Sequence, residues 1–96
     1  MDQPGVRPGA IVRSLAGRDQ GACFIIVRQI DDRRFAVANG RSRSIDRPKV
    51  KNRRHLEVLG WIQDDLMQRL ERGDRVSDMD IERALRAYHP PVLEEV

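Results

Sequence analysis

Ninety-six residues supply material for one modest core and not for two independent domains. A hydrophobic fraction of 40% beside a charged fraction of 34% describes a soluble, surface-rich protein, and no apolar run approaches the roughly 20 residues that span a bilayer, so a membrane role is not expected. The net charge of +3 hides a division: through Val58 thirteen Lys or Arg face six Asp or Glu, whereas from Leu59 to Val96 five face nine, so only the first part is built to meet a polyanion.

Residues 1–8 read as a flexible N-terminal arm; they hold two prolines and no apolar stretch, so a signal peptide is not expected and a cytoplasmic location is. From Gly9 to Leu59 the apolar residues come in short β-rich runs separated by turn chemistry. Ala10 to Ser14 is a first strand, and Ala22 to Ile30 a long second one. Cys23, the lone cysteine, lies in that apolar run and is expected to be a buried, inert thiol. Between these strands Gly17 and Gly21 frame Arg18 and Asp19 in a hairpin loop, with both glycines at positive φ and Asp19 bonding nearby backbone N–H groups. Asp31, Asp32 and Arg33 turn into a third strand, Arg34 to Ala38. Asn39-Gly40 then suits a two-residue type I′ turn, which predicts a fourth strand over Arg41 to Ile45; His55 to Val58 is a fifth. Five short strands point to a small closed barrel, although a half-open sheet gives the same local pattern.

Beyond Gly60 the apolar period changes to about 3.6. Leu59, Ile62, Leu66 and Leu70 share one helical face of a first helix reaching Arg72, and Gly73 stops it at a left-handed C′ position. Ser77 and Asp80 form a capping box for a second helix, whose buried stripe is Ile81, Ala84, Leu85 and Tyr88 and which Pro90-Pro91 ends. Too short to be stable alone, the two helices are expected to pack as a hairpin that leans partly on the barrel, with Trp61 as a wedge at the junction. Their acidic face, including Asp64, Asp65, Glu71 and Glu82, is expected to point away from any polyanion.

The densest chemical feature is the run Arg41, Arg43, Arg47, Lys49, Lys51, Arg53 and Arg54, with Asp46 its single acid. Phosphates neutralise such a cluster efficiently, because each contact releases condensed counterions and arginine adds a bidentate fork; a solvated basic loop is the plainer alternative. Phe24, Phe35, Trp61 and Tyr88 are the only aromatic residues, too few for a stacking platform, so shape and phosphate geometry of folded RNA fit better than base readout. The two histidines, His55 and His89, stand at no metal-ligand spacing, and no phosphate-cradling loop or nucleophile elbow occurs, so neither an enzyme nor a metal or cofactor is expected. His55, beside Arg54, reads as an RNA contact or a strand-edge residue.

Val12 through Val27, with Ala16-Gly17-Arg18-Asp19 and Gly21, resembles the KOW motif of the archaeal and eukaryotic large-subunit ribosomal proteins of the "fourteen e" group. The resemblance extends through Asp31-Asp32, Ala38-Asn39-Gly40 and the run Pro48-Lys49-Val50-Lys51-Asn52-Arg53-Arg54-His55-Leu56, and covers roughly residues 9 to 59. The chain also resembles the short bacterial KOW proteins of that group, which carry a helical tail similar to Leu59 to Ala87. It departs from the ribosomal members in its acidic tail, where they continue into basic extensions. The resemblance implies a mainly β fold with an α tail: a KOW-type SH3-like β-barrel over 9–59 followed by a C-terminal helical hairpin within an acidic extension over 60–96. It also implies binding to structured rRNA of the large subunit, with Gly17, Arg18 and the whole basic run to Arg54, Asn52 included, on the RNA side. The runner-up function is a protein-interaction adaptor in which the barrel contacts a transcription or translation factor and the acidic helices recruit a basic partner, such as a ribosomal or translation-factor protein.

Overall fold

The computed structural model describes residues 6–62 and 65–88. Residues 1–5 of the arm, Asp64, His89 and the Pro90-Pro91 stop lie outside the described residues. Five strands form one antiparallel sheet: β1 (Ala10–Ser14), β2 (Cys23–Gln29), β3 (Arg34–Ala38), β4 (Lys49–Asn52) and β5 (Leu56–Trp61), in the order β4-β3-β2-β1-β5. A 3-10 turn, Arg53–His55, separates β4 from β5, and the helices α1 (Leu66–Arg72) and α2 (Asp78–Ala87) follow. The fifth strand returns to β1, and no pairing between the β4 and β5 edges occurs among the described residues. No described helix is long and apolar enough to cross a membrane.

Alternation along the strands splits the apolar side chains between two cores. Ala10, Val12, Phe24, Ile26, Phe35, Val37 and Leu56 make the inner cluster, with Trp61 packed against it and the Arg7 guanidinium 5.2 Å from its ring centroid. Ile11 and Ile25, opposite each other in the β1–β2 register, point the other way and meet Ile62, Leu66, Val76 and Ile81. The central strands β1 to β3 are therefore buried on both faces along much of their length, which is why they hold continuous apolar runs. The principal contacts of both helices are with β2 rather than with each other. They are thus a cover for the sheet more than a self-sufficient hairpin.

The helix boundaries follow their caps. Gly73 adopts φ 78°, and its N–H reaches back to the carbonyls of the last turn of α1. Ser77 accepts from the Asp80 N–H while the Asp80 carboxylate accepts from the Ser77 N–H, the reciprocal box expected from the sequence.

Three expectations need correction. Leu59 belongs to β5 and not to a helix: a bulge opposite Ile11 and Val12 turns it toward the helix-side core, so it shares an apolar surface with Ile62 and Leu66 across a strand-to-helix junction. Cys23 is exposed, because it pairs with the exposed Arg13 at the end of β2 that the helices do not reach. Arg41 to Ile45 is not a strand. Only Gly40 of the Asn39-Gly40 pair has positive φ, so no type I′ turn forms. The Asn39 side chain instead accepts from the N–H groups of Arg41 (2.9 Å) and Arg43 (2.9 Å), closing a local loop, and the fourth strand begins at Lys49.

Candidate nucleic-acid interface

Glycine geometry and one carboxylate shape the loop between β1 and β2. Gly17 has φ +90°, and a Cβ there would sit 3.3 Å from the Lys51 ammonium. Asp19 does not cap backbone N–H groups as expected. Its Oδ1 accepts from Ser14 Oγ (2.8 Å) and Lys51 Nζ (2.7 Å), and Lys49 Nζ lies 3.1 Å from its Oδ2. Lys51 also donates to the Ala16 carbonyl at 2.9 Å. Burial alone pushes the Asp19 carboxyl up, but the contacts from Lys51, Ser14 and Lys49, with the Lys51 charge, outweigh it and hold the group well below the usual carboxylate range.

Lys49 and Lys51 face Val37 and Phe35 across the β3–β4 register, so both side chains point to the inner side of the sheet. Lys51 is only 7% exposed. Two of the cations expected to meet RNA therefore latch the edge strand to the glycine loop, and removing Lys51 strips the main partner from a sequestered carboxylate. A quadruple Lys49, Lys51, Arg53 and Arg54 to Ala exchange is accordingly expected to be a stability lesion as well as a charge deletion.

Around the 3-10 turn the cations are open. Asn52 caps this turn, its Oδ1 accepting from the Arg54 N–H at 3.0 Å. The Arg53 N–H donates to the Arg33 carbonyl at 2.6 Å, and the Leu15 N–H donates to the His55 carbonyl at 2.8 Å. The turn is thereby pinned both to the β2–β3 turn and to the root of the glycine loop. A groove of about 630 Å³ is lined by Arg33, Asn52, Arg53, Arg54 and Leu56. An adjoining one shares Arg33 and Asn52 and continues over Asp31, Asp32 and Arg34. Asp31 is committed within it: its carboxylate accepts from the side chain and N–H of Arg34 and from the Arg33 N–H, and the Arg34 bond, followed by the Arg33 one, holds its pKa below the ordinary value.

The remaining expected site residues form a separate group. Arg41, Arg43 and Arg47 are exposed on the loop between β3 and β4, which is tied to α2. Arg41 pairs with Glu82 at 3.2 Å, so that acid does not point away from the basic residues as expected. Arg18, Arg33, Arg43, Arg47, Arg53 and Arg54 have no ion-pair partner among the described residues. The structure brings Asn52, Arg53 and Arg54 together with Arg33, which sequence reasoning treated as a turn residue only. The adjacent basic pair Arg33-Arg34 was a signal for it, but not for which of the two Asp31 would consume. No group of three or more His, Cys, Asp and Glu that could hold a metal occurs among the described residues. No protein-family model matches the chain, and no curated protein matches it.

Proposed function

We propose that this chain is a non-enzymatic RNA-binding protein of the KOW-type SH3-like class, associated with the ribosome and docking on structured rRNA of the large subunit. The observation that carries the reading is the groove over Arg33, Asn52, Arg53 and Arg54, whose three arginine side chains lack an acidic partner among the described residues and whose main chain is held by hydrogen bonds. Guanidinium forks match phosphate oxygens, and a backbone already fixed has little further entropy to lose on binding. The five-strand meander that returns to its first strand, with a 3-10 turn before β5, is compatible with the SH3-like barrel that the resemblance implies.

Binding of purified ribosomal RNA measured against salt concentration tests the proposal. Arg33→Ala, Arg53→Ala and Arg54→Ala together should flatten the salt slope by roughly 2 to 3 units, at about 0.7 to 0.9 per phosphate contact, with little loss of thermal stability. Lys51→Ala should do the reverse, lowering stability more than it alters the slope. Weak, salt-insensitive binding by the unaltered chain would overturn the proposal in favour of the protein-adaptor reading.

A further inference from the structure

The loop between β3 and β4 is held by the acidic tail. The Asp78 carboxylate accepts from Ser44 Oγ (2.8 Å) through Oδ2 and from the Ile45 N–H (2.7 Å) through Oδ1. At the other end of the loop Gly40 meets the same helix so closely that a Cβ would lie 2.4 Å from the Asp78 carbonyl oxygen and 3.0 Å from the Glu82 nitrogen. Between these two anchors stand Arg41 and Arg43, and Arg47 follows after Asp46. One further cation joins them: the Glu82 Oε2 that faces Arg41 Nε at 3.2 Å also faces Arg86 at 3.6 Å. A single carboxylate oxygen shared by two guanidinium groups leaves the pair with a net positive charge, and both arginines are about three-quarters exposed.

We infer that α2 completes an RNA-docking surface with this loop: Asp78 is a positioning residue that fixes the loop backbone, and Arg86 is a phosphate-contacting residue beside Arg41. The inference rests on the RNA-binding reading and extends it to a helix that charge counting assigns to the acidic half. Its physical basis is preorganisation. An arginine loop anchored at both ends presents its charges in one register, whereas a free loop loses entropy when it binds. Glu82, as the shared counter-ion, spaces Arg41 and Arg86 without cancelling them.

The test uses the full chain and the same ribosomal RNA. Arg86→Ala should flatten the salt slope by about one unit, the value for one lost phosphate contact. Asp78→Ala should speed hydrogen exchange at the Ile45 amide and flatten the slope by more than one unit, since the loop arginines lose their common register. Asp78→Asn keeps an acceptor oxygen for Ile45 and should restore both readouts toward the unaltered values, which separates positioning from the loss of a helix-terminal charge common to both variants. An unchanged slope in Arg86→Ala overturns the inference, as does faster Ile45 exchange in Asp78→Ala with no change in RNA binding. Absence of RNA binding by the unaltered chain overturns the parent reading and this inference with it.

Discussion

Asp19 shows how one side chain can organise a loop whose sequence advertises only its glycines. Its carboxyl is held well below the usual range, so the contribution to stability is fully present above the unfolded value, about pH 4, and is lost as pH falls through the lower folded value. Asp19→Asn should therefore destabilise the protein by about 1 to 3 kcal/mol near neutrality. Thermal melts taken from pH 7 downward should show that difference narrowing in acid, because the substituted chain has no charge there to lose. The positive φ of Gly17 and Gly21 was legible, since a loop flanked by strands must turn and only glycine turns that way without strain. The role of Asp19 was not. Its main partner, Lys51, is 32 residues away, and nothing local distinguishes a lysine aimed inward from one aimed at solvent. Cys23 was misjudged for a related reason: the apolar run around it is real, but cover over that end of β2 depends on where the helices stop.

Elements were readable where each had its own punctuation. β1 and β3 stand at the expected residues, and α2 begins at its capping box. At Leu59 a bulged strand, a short connection and a helix place apolar residues three or four apart and so imitate one continuous helix. The same junction means that a chain ending at Leu59 would lose the last two residues of β5 as well as the helices. β5 runs to Trp61, the Tyr88 hydroxyl donates to the Leu59 carbonyl at 2.7 Å, and the Tyr88 ring occupies the space that a Gly60 side chain would need. Removing both helices would uncover Ile11 and Ile25, each fully buried. At about 1.5 to 3 kcal/mol per side chain, those two alone represent a large share of the stability of a domain this size. A chain ending at Ile62 should show a lowered or absent cooperative unfolding transition by circular dichroism; a transition within a few degrees of the full chain would show that the sheet stands alone.

Across the whole molecule, charge is distributed differently from its distribution along the chain. A basic first part and an acidic tail suggest two poles, yet Glu82 and Asp78 sit against the basic loop, while Lys49 and Lys51 turn inward to Asp19. Net balance over a segment cannot reveal such pairings, because they form between elements that the fold alone brings together. What remains open to a polyanion is a set of arginines at turns, where backbone hydrogen bonds fix the chain and leave the side chains outward.

The inward lysines of β4 bear on self-association. An unpaired edge strand is a template for another chain, and charge directed to the buried side is one way in which natural sheets spoil that template, since an added strand would extend the apolar inner face across two ammonium groups. Val50, 48% exposed on the opposite side of the same strand, gives no such protection. Lys49→Met with Lys51→Met would keep the side-chain bulk while releasing Asp19 and presenting a continuous apolar edge. Light scattering at rising protein concentration should then detect more association than in the unaltered chain. The latch between β4 and the glycine loop would in that case be what keeps copies of this small sheet apart in a crowded solution.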